Sequence, residues 1–138
     1  MKILIILLLL ISCIAEDDCI ESLSQPTDLI IEINTYRESI ALTDVVPDSY
    51  VSSIALKHTK YLVEVDSLTH KGIGYRMILL SDYCAESYSE VLAMGYTNEG
   101  VLQAWLDSPE HKKTIEGNYN RVGYGIKNKF YTLIFYIK

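Results

Sequence analysis

The chain has 138 residues, a formal net charge of −6 and three cysteines. That length fits one domain with a hydrophobic core of its own. The acidic balance argues against general affinity for nucleic acid or acidic membrane surfaces, and 11 tyrosines against two phenylalanines point to a surface of half-buried, contact-making rings.

At the N-terminus, Lys2 is followed by an apolar run from Ile3 to Ile11. The run is too short to cross a bilayer as a helix and has the length of a signal-peptide core. It ends in Leu10-Ile11-Ser12-Cys13. This resembles the lipobox of bacterial lipoproteins: an apolar residue three before the cysteine, a small one just before it, then the cysteine that takes the lipid. The resemblance implies a signal peptide over 1–12 and a lipidated N-terminus at Cys13. It also implies a mature protein that is exported and lipid-anchored to the bacterial cell envelope, at its outer surface. Each buried CH₂ contributes about 0.8 kcal/mol, so two or more acyl chains anchor stably. Residues 13–25, "CIAEDDCIESLSQ", are acidic and aperiodic and read as a tether. The folded domain is expected over 26–138. Cys19 and Cys84 either form one disulfide or stay as thiols, and spacing does not decide between the two. A bond would close a long loop worth about 4 kcal/mol in the chain-entropy model.

Pro26-Thr27-Asp28 reads as a helix start, and Ile30, Ile33, Tyr36, Arg37 and Ile40 recur at helical spacing. "LTDVVPDSY" reads as a loop in which Asp48 caps the next helix. There Val51, Ile54, Ala55, His58, Leu62 and Val65 form one stripe. "THKGIGYRMILLSDYC" has two glycines and no steady period, and reads as loop. "AESYSEVLAMG" reads as a short strand ending at Gly95. Thr97 caps a third helix with Val101, Leu102, Trp105 and Leu106 on one side. Ser108 and Pro109 then suit the cap and first position of a short helix carrying His111. "RVGYGI" and "FYTLIFYIK" flank "KNK" as a hairpin. The last run is almost continuously apolar and aromatic, which suits a strand covered on both faces.

Taken in order, these pieces resemble the superfamily named after cysteine-rich secretory proteins, antigen 5 and plant pathogenesis-related proteins, also called SCP-like domains. "LIIEINTYRES" is similar to its opening helix and "SSIALKHTKYL" to its second. "SLTH" is similar to the segment ending in the first site histidine. "SEVLAMG" resembles the Gly-Glu-Asn-Ile/Leu-Ala-x-Gly stretch, and "VLQAWLDSPEHKKTI" the bacterial Trp helix with Ser-Pro-x-His-Arg-x-Asn-Ile. "RVGYGI" resembles the Gly-x-Gly strand. The resemblance implies an α+β fold, a three-layer α-β-α sandwich with a small antiparallel sheet between helices. It also implies a cleft with His70, His111 and Glu90, residues that bind zinc in some relatives. The second cleft acid of eukaryotic relatives falls at Ser108; neither Asp107 nor Glu110 fits that pattern. Val91 and Thr114 stand where relatives carry Asn.

Two imidazoles and a carboxylate suit zinc with one position left for water, and such a site activates water or polarises a carbonyl. The three residues are far apart in sequence, so spacing supplies no metal signature of its own. The other reading of His70 and His111 is a pair of hydrogen-bonded residues bordering a cleft. His58 lies on an apolar stripe and reads as a core or boundary residue, and Trp105 as core. Tyr88 and Tyr96 flank the Glu90 strand and read as packing residues. Glu86 competes with Glu90, but the family register puts Ala93 and Gly95 in place only with Glu90. No Gly-x-Ser-x-Gly is present, and nothing local marks a base for Cys84. The first expectation is therefore a surface-anchored, non-catalytic binding module, and the family resemblance implies a lipid, sterol or host protein as its ligand. A zinc-dependent hydrolase or peptidase using His70, His111 and Glu90 is the second. A structural envelope lipoprotein is the third.

Overall fold

The structure, a computed structural model, describes residues 27–138. The expected signal peptide, Cys13, tether and Cys19 lie outside the described residues, and with Cys19 the Cys19–Cys84 pairing.

The elements run α1 (Asp28–Ser39), β1 (Val46–Pro47), α2 (Ser49–Val65), α3 (Ile73–Asp82), β2 (Ser87–Met94), α4 (Asn98–Leu106), α5 (Pro109–Ile115), β3 (Arg121–Lys127) and β4 (Phe130–Ile137). The fold is α+β, with a four-stranded sheet in the order β1-β3-β4-β2. β4 pairs antiparallel with β2 and with β3, while β1 runs parallel to β3. The sheet is thus mixed rather than purely antiparallel. The change comes from Val46-Pro47, two residues of the expected loop, which lie along β3. The Val46 amide donates to the Asn120 carbonyl, and the Asp48 amide to the Val122 carbonyl.

Side-chain alternation along the strands builds the three layers. Tyr131, Leu133 and Phe135 face one way, with Val91, Ala93 and Val122. They meet Leu29, Ile30 and Ile33 of α1, Val101 and Trp105 of α4, and Ile115 of α5. Ile134 and Tyr136 face the other way, against Val51, Ile54 and Ala55 of α2 and Leu80 of α3. Phe130 and Leu92 extend that face to Leu62. β4 is therefore covered on both sides, which is why it lacks polar alternation.

Two glycines set how closely α2 lies on the sheet. A Cβ at Gly123 would come within 2.4 Å of the Val51 backbone, and one at Gly125 within 2.5 Å of the Leu56 backbone. The hairpin after β3 turns through Asn128 and Lys129, both with positive φ (50° and 61°), the geometry of a two-residue turn that matches strand twist.

The helices differ from the periodicity reading in three places. Residues 73–82, expected as loop, form α3. Its buried stripe is only Arg76 and Leu80, so a charged residue stands where an apolar one would have marked the period. Gly72, with φ 77°, is the N-cap rather than a loop interior. α1 stops at Ser39, leaving Ile40 as an exposed C-cap, and the α2 stripe ends at Leu62, with Val65 exposed.

Candidate functional site

β2 is an edge strand, so its outer side lies open where residues of both helical layers reach the sheet. Along β2, Val91 and Ala93 face α1, α4 and α5, and Leu92 faces α2. Glu90 shares the parity of Leu92 and points to the α2–α3 side.

The Glu90 side chain is only 3% exposed, and both its oxygens are hydrogen-bonded. The Arg76 Nε donates to Glu90 Oε2 at 2.7 Å, and Arg76 Nη2 to Glu90 Oε1 at 2.7 Å. His70 Nδ1 lies 2.7 Å from the same Oε1. Arg76 continues inward. Its Nη1 donates to the Lys71 carbonyl at 2.9 Å and to His58 Nδ1 at 3.1 Å. An arginine only donates, so His58 must accept at Nδ1 and carry its proton on Nε2, which donates to the Thr69 carbonyl at 2.9 Å. Burial, then the neighbouring Arg76 charge, hold the His58 imidazole below its ordinary pKa. The core histidine of α2, the loop before α3 and the acid on β2 are thus one network centred on Arg76.

His111 stands apart from this network. It lies in α5 and lines a hollow of about 220 Å³ together with Leu92, Met94, Tyr96 and Trp105. Burial, then the charge of His70, lower its pKa. Trp105 is buried beneath it and donates to the Leu92 carbonyl at 2.9 Å. Ser108 and Pro109 start α5 as the cap and first residue, which places His111 in its first turn.

The structure brings His70 and Glu90 into contact. Among the described residues, no three His, Cys, Asp or Glu side chains are grouped closely enough to hold a metal ion. Asp107 accepts from Gln103 Nε2, and Glu110 is exposed in the first turn of α5. Glu86 is exposed. The Ser108 side chain makes no capping bond. Tyr88 packs against the cluster under α2 and α3, and Tyr96 borders the His111 hollow. At position 114, Thr114 pairs with Ser89 at 2.8 Å.

These residues do not fit zinc as an open three-ligand set. Each Glu90 oxygen already accepts a charged hydrogen bond from Arg76, a cation that occupies the carboxylate's flank. Arg76 is the residue the sequence reading missed. The available signal was an arginine amid "IGYRMILL", an apolar run that has no other charge.

The fold and this cleft define an α-β-α sandwich domain with a polar site at the open edge of its sheet. The chain belongs to the cysteine-rich secretory protein (CAP) family, whose model matches residues 30–136. No curated protein matches the chain. Among solved structures, it is similar to an extracellular protein containing an SCP domain from Bacillus anthracis (TM-score 0.72, 24% identity), covering 80% of this chain and 39% of that one. It is similar also to an outer surface protein from Borrelia burgdorferi (TM-score 0.72, 21% identity), covering 86% of this chain and 99% of that one. A cysteine-rich secretory protein from Staphylococcus aureus gives a TM-score of 0.65 at 16% identity, over 80% of this chain and 37% of that one. The chain thus spans about two fifths of the Bacillus protein. At these identities the likeness is one of fold.

Proposed function

We propose that this chain is an exported, lipid-anchored module that binds a ligand at the cell surface without transforming it, the ligand being a lipid, a sterol or a protein. One observation carries the reading: the cleft carboxylate is almost fully buried and both its oxygens are bonded to Arg76. A general base must lie within hydrogen-bond reach of the proton it removes. Glu90 has its oxygens on Arg76 and His70 and is nearly buried. The same contacts work against it as a metal ligand, and His111 lies in a separate hollow. Export and anchoring rest on the leader and the Leu10-Ile11-Ser12-Cys13 stretch. Two similar structures described as extracellular and outer surface proteins support the location.

The test is a zinc titration by calorimetry beside a panel of peptidase and esterase substrates, on the wild-type chain and on His70→Ala and His111→Ala. The expected result is no stoichiometric zinc binding and no turnover above either variant. Tight zinc binding lost in both variants, with hydrolysis that follows it, would overturn the reading in favour of a hydrolase.

A further inference from the structure

The chain between α2 and α3, residues 66–72, is a strap with a left-handed residue at each end: Asp66 closes α2 with φ 48°, and Gly72 opens α3 with φ 77°. Side chains from the two helices hold three successive strap carbonyls. His58 Nε2 donates to the Thr69 carbonyl at 2.9 Å. Arg76 donates to the Lys71 carbonyl at 2.9 Å and to the His70 carbonyl at 3.5 Å. Leu68, 42% exposed, is the apolar residue of the strap, and it lines the hollow of Trp105 and His111. The rest of that lining comes from β2, Tyr96, α4 and α5. The strap is thus one wall of the hollow, and where it lies sets how open the hollow is.

The hold of His58 on the strap depends on a proton. His58 Nδ1 accepts from Arg76 Nη1 at 3.1 Å. A proton on Nδ1 turns this contact into two donors facing each other on two cations. Arg76 is the harder to displace, because its two bonds to Glu90 are charge-assisted and bidentate. The imidazole must therefore move, and the bond from Nε2 to Thr69 goes with it. The charged groups that face His58 are Arg76 from α3, Glu90 from β2 and His70 from the strap, and of these only Glu90 favours the added proton. Lys57 of α2 and Lys71 of the strap line the same pocket and add further positive charge. His70 responds in the opposite sense. Its contact with Glu90 at 2.7 Å strengthens when the ring is charged, so the strap stays pinned there.

We propose that residues 66–69 are an acid-released lid on the His111 hollow. Neutral His58 latches the lid shut; protonated His58 frees Leu68 from the hollow, with His70 as the pivot. The cleft is then narrow at neutral pH and wider in acid, whatever ligand it takes.

Trp105 reports on the lid, since it is the only tryptophan in the chain, is 1% exposed and lines the hollow. The experiment is acrylamide quenching of its fluorescence in the full-length chain from pH 7.5 to 5.0, with far-UV circular dichroism at each pH. A charged His111 beside the indole alters the emission by itself, so the series is repeated in His111→Gln and quenching slopes are compared rather than intensities. The expected result is a slope that rises at least about twofold toward pH 5.0 in both proteins, with circular dichroism unchanged, and stays flat in His58→Gln. Leu68→Ala, at an exposed position, should show the high slope already at pH 7.5. A slope independent of pH in the wild-type chain overturns the proposal. So does an equal rise in His58→Gln, and so does a rise that comes only with loss of circular dichroism, because unfolding exposes Trp105 without any lid. Should His58→Gln fail to fold, Leu68→Ala decides: a wild-type slope in that variant at pH 7.5 would show that Leu68 covers nothing.

Discussion

Arg76 on α3 and Glu90 on β2 share two parallel hydrogen bonds of 2.7 Å, with side chains 8% and 3% exposed. The pair ties a short helix to the edge of the sheet. Its partners extend it in both directions, to His70 on the open side and to His58 beneath. A buried pair is weak evidence for stability taken whole, because desolvation opposes the attraction. Breaking it from one side is different, because the surviving charge stays buried.

Arg76→Met is therefore expected to cost about 3–5 kcal/mol, since it leaves the buried Glu90 with His70 alone. Adding Glu90→Leu to Arg76→Met should recover a large part of that loss. Urea unfolding of the two single variants and the double variant measures both effects. An Arg76→Met cost below about 1 kcal/mol would show that the pair is not buried as described.

His58 makes stability depend on pH. In the folded chain its Nδ1 accepts from Arg76, so a second proton would remove an acceptor and set a cation beside a guanidinium. Burial and then Arg76, with a smaller push from His70, lower its pKa below the ordinary 6.5, while Glu90 and the Thr69 carbonyl act the other way. The unfolded chain takes up this proton near pH 6.5 and the folded chain only at lower pH. Between the two the unfolded state binds more protons, so stability falls as pH drops. His111 is shifted in the same direction and adds to the trend. Urea midpoints should decline from pH 7.5 to 5.5, and less steeply in His58→Gln. Equal slopes in the two proteins would remove His58 from the account.

Much of this fold was legible because its apolar periods are strong. α2 and the β3–β4 hairpin could be read from spacing and turn residues alone, and Ser108-Pro109 announced α5. α3 could not, because its inward stripe is an arginine and a leucine, and the arginine's partner lies 14 positions away on another element. The short β1 was hidden for a related reason. Two residues carry no period, and their pairing with β3 exists only in three dimensions. For the site, family register pointed to His70, Glu90 and His111 one at a time. What holds Glu90 left one local sign, the lone arginine of an apolar run, and none of which acid it meets on another element.

The glycines of β3 offer a test of the packing that carries α2. Gly125→Ala would set a methyl group 2.5 Å from the Leu56 Cα, and both atoms belong to regular backbone that cannot swing aside. The helix must lift from the sheet. Lifting it loosens Thr59, whose one hydroxyl proton is shared between the Ala55 and Gly125 carbonyls, each 3.0 Å away, and whose oxygen lies 2.9 Å from the Thr132 hydroxyl. A cost of about 2–4 kcal/mol follows from overpacking together with lost buried hydrogen bonds. Thermal melts of Gly125→Ala and of Gly74→Ala make the comparison, because a Cβ at Gly74 meets nothing within 4 Å. Gly74→Ala should leave stability unchanged or raise it by a few tenths of a kcal/mol. Equal melting points for the two variants would show that α2 does not lie on the glycines.

The last prediction concerns whether the two cleft histidines form one unit. His70 bonds Glu90, and His111 lines a hollow with Trp105, with a charge effect but no hydrogen bond between the rings. Residues that share no partner add their effects to within about 0.3–0.5 kcal/mol. His70→Ala and His111→Ala should therefore be additive in urea unfolding at pH 7.5. A metal or a water bridge joining the rings would instead couple them, so that the second substitution costs much less than it does alone. Coupling above about 1 kcal/mol, abolished by a chelator, would mean that the cleft assembles around an ion. Additivity in the presence and absence of chelator would mean that Arg76 supplies the only cation Glu90 needs.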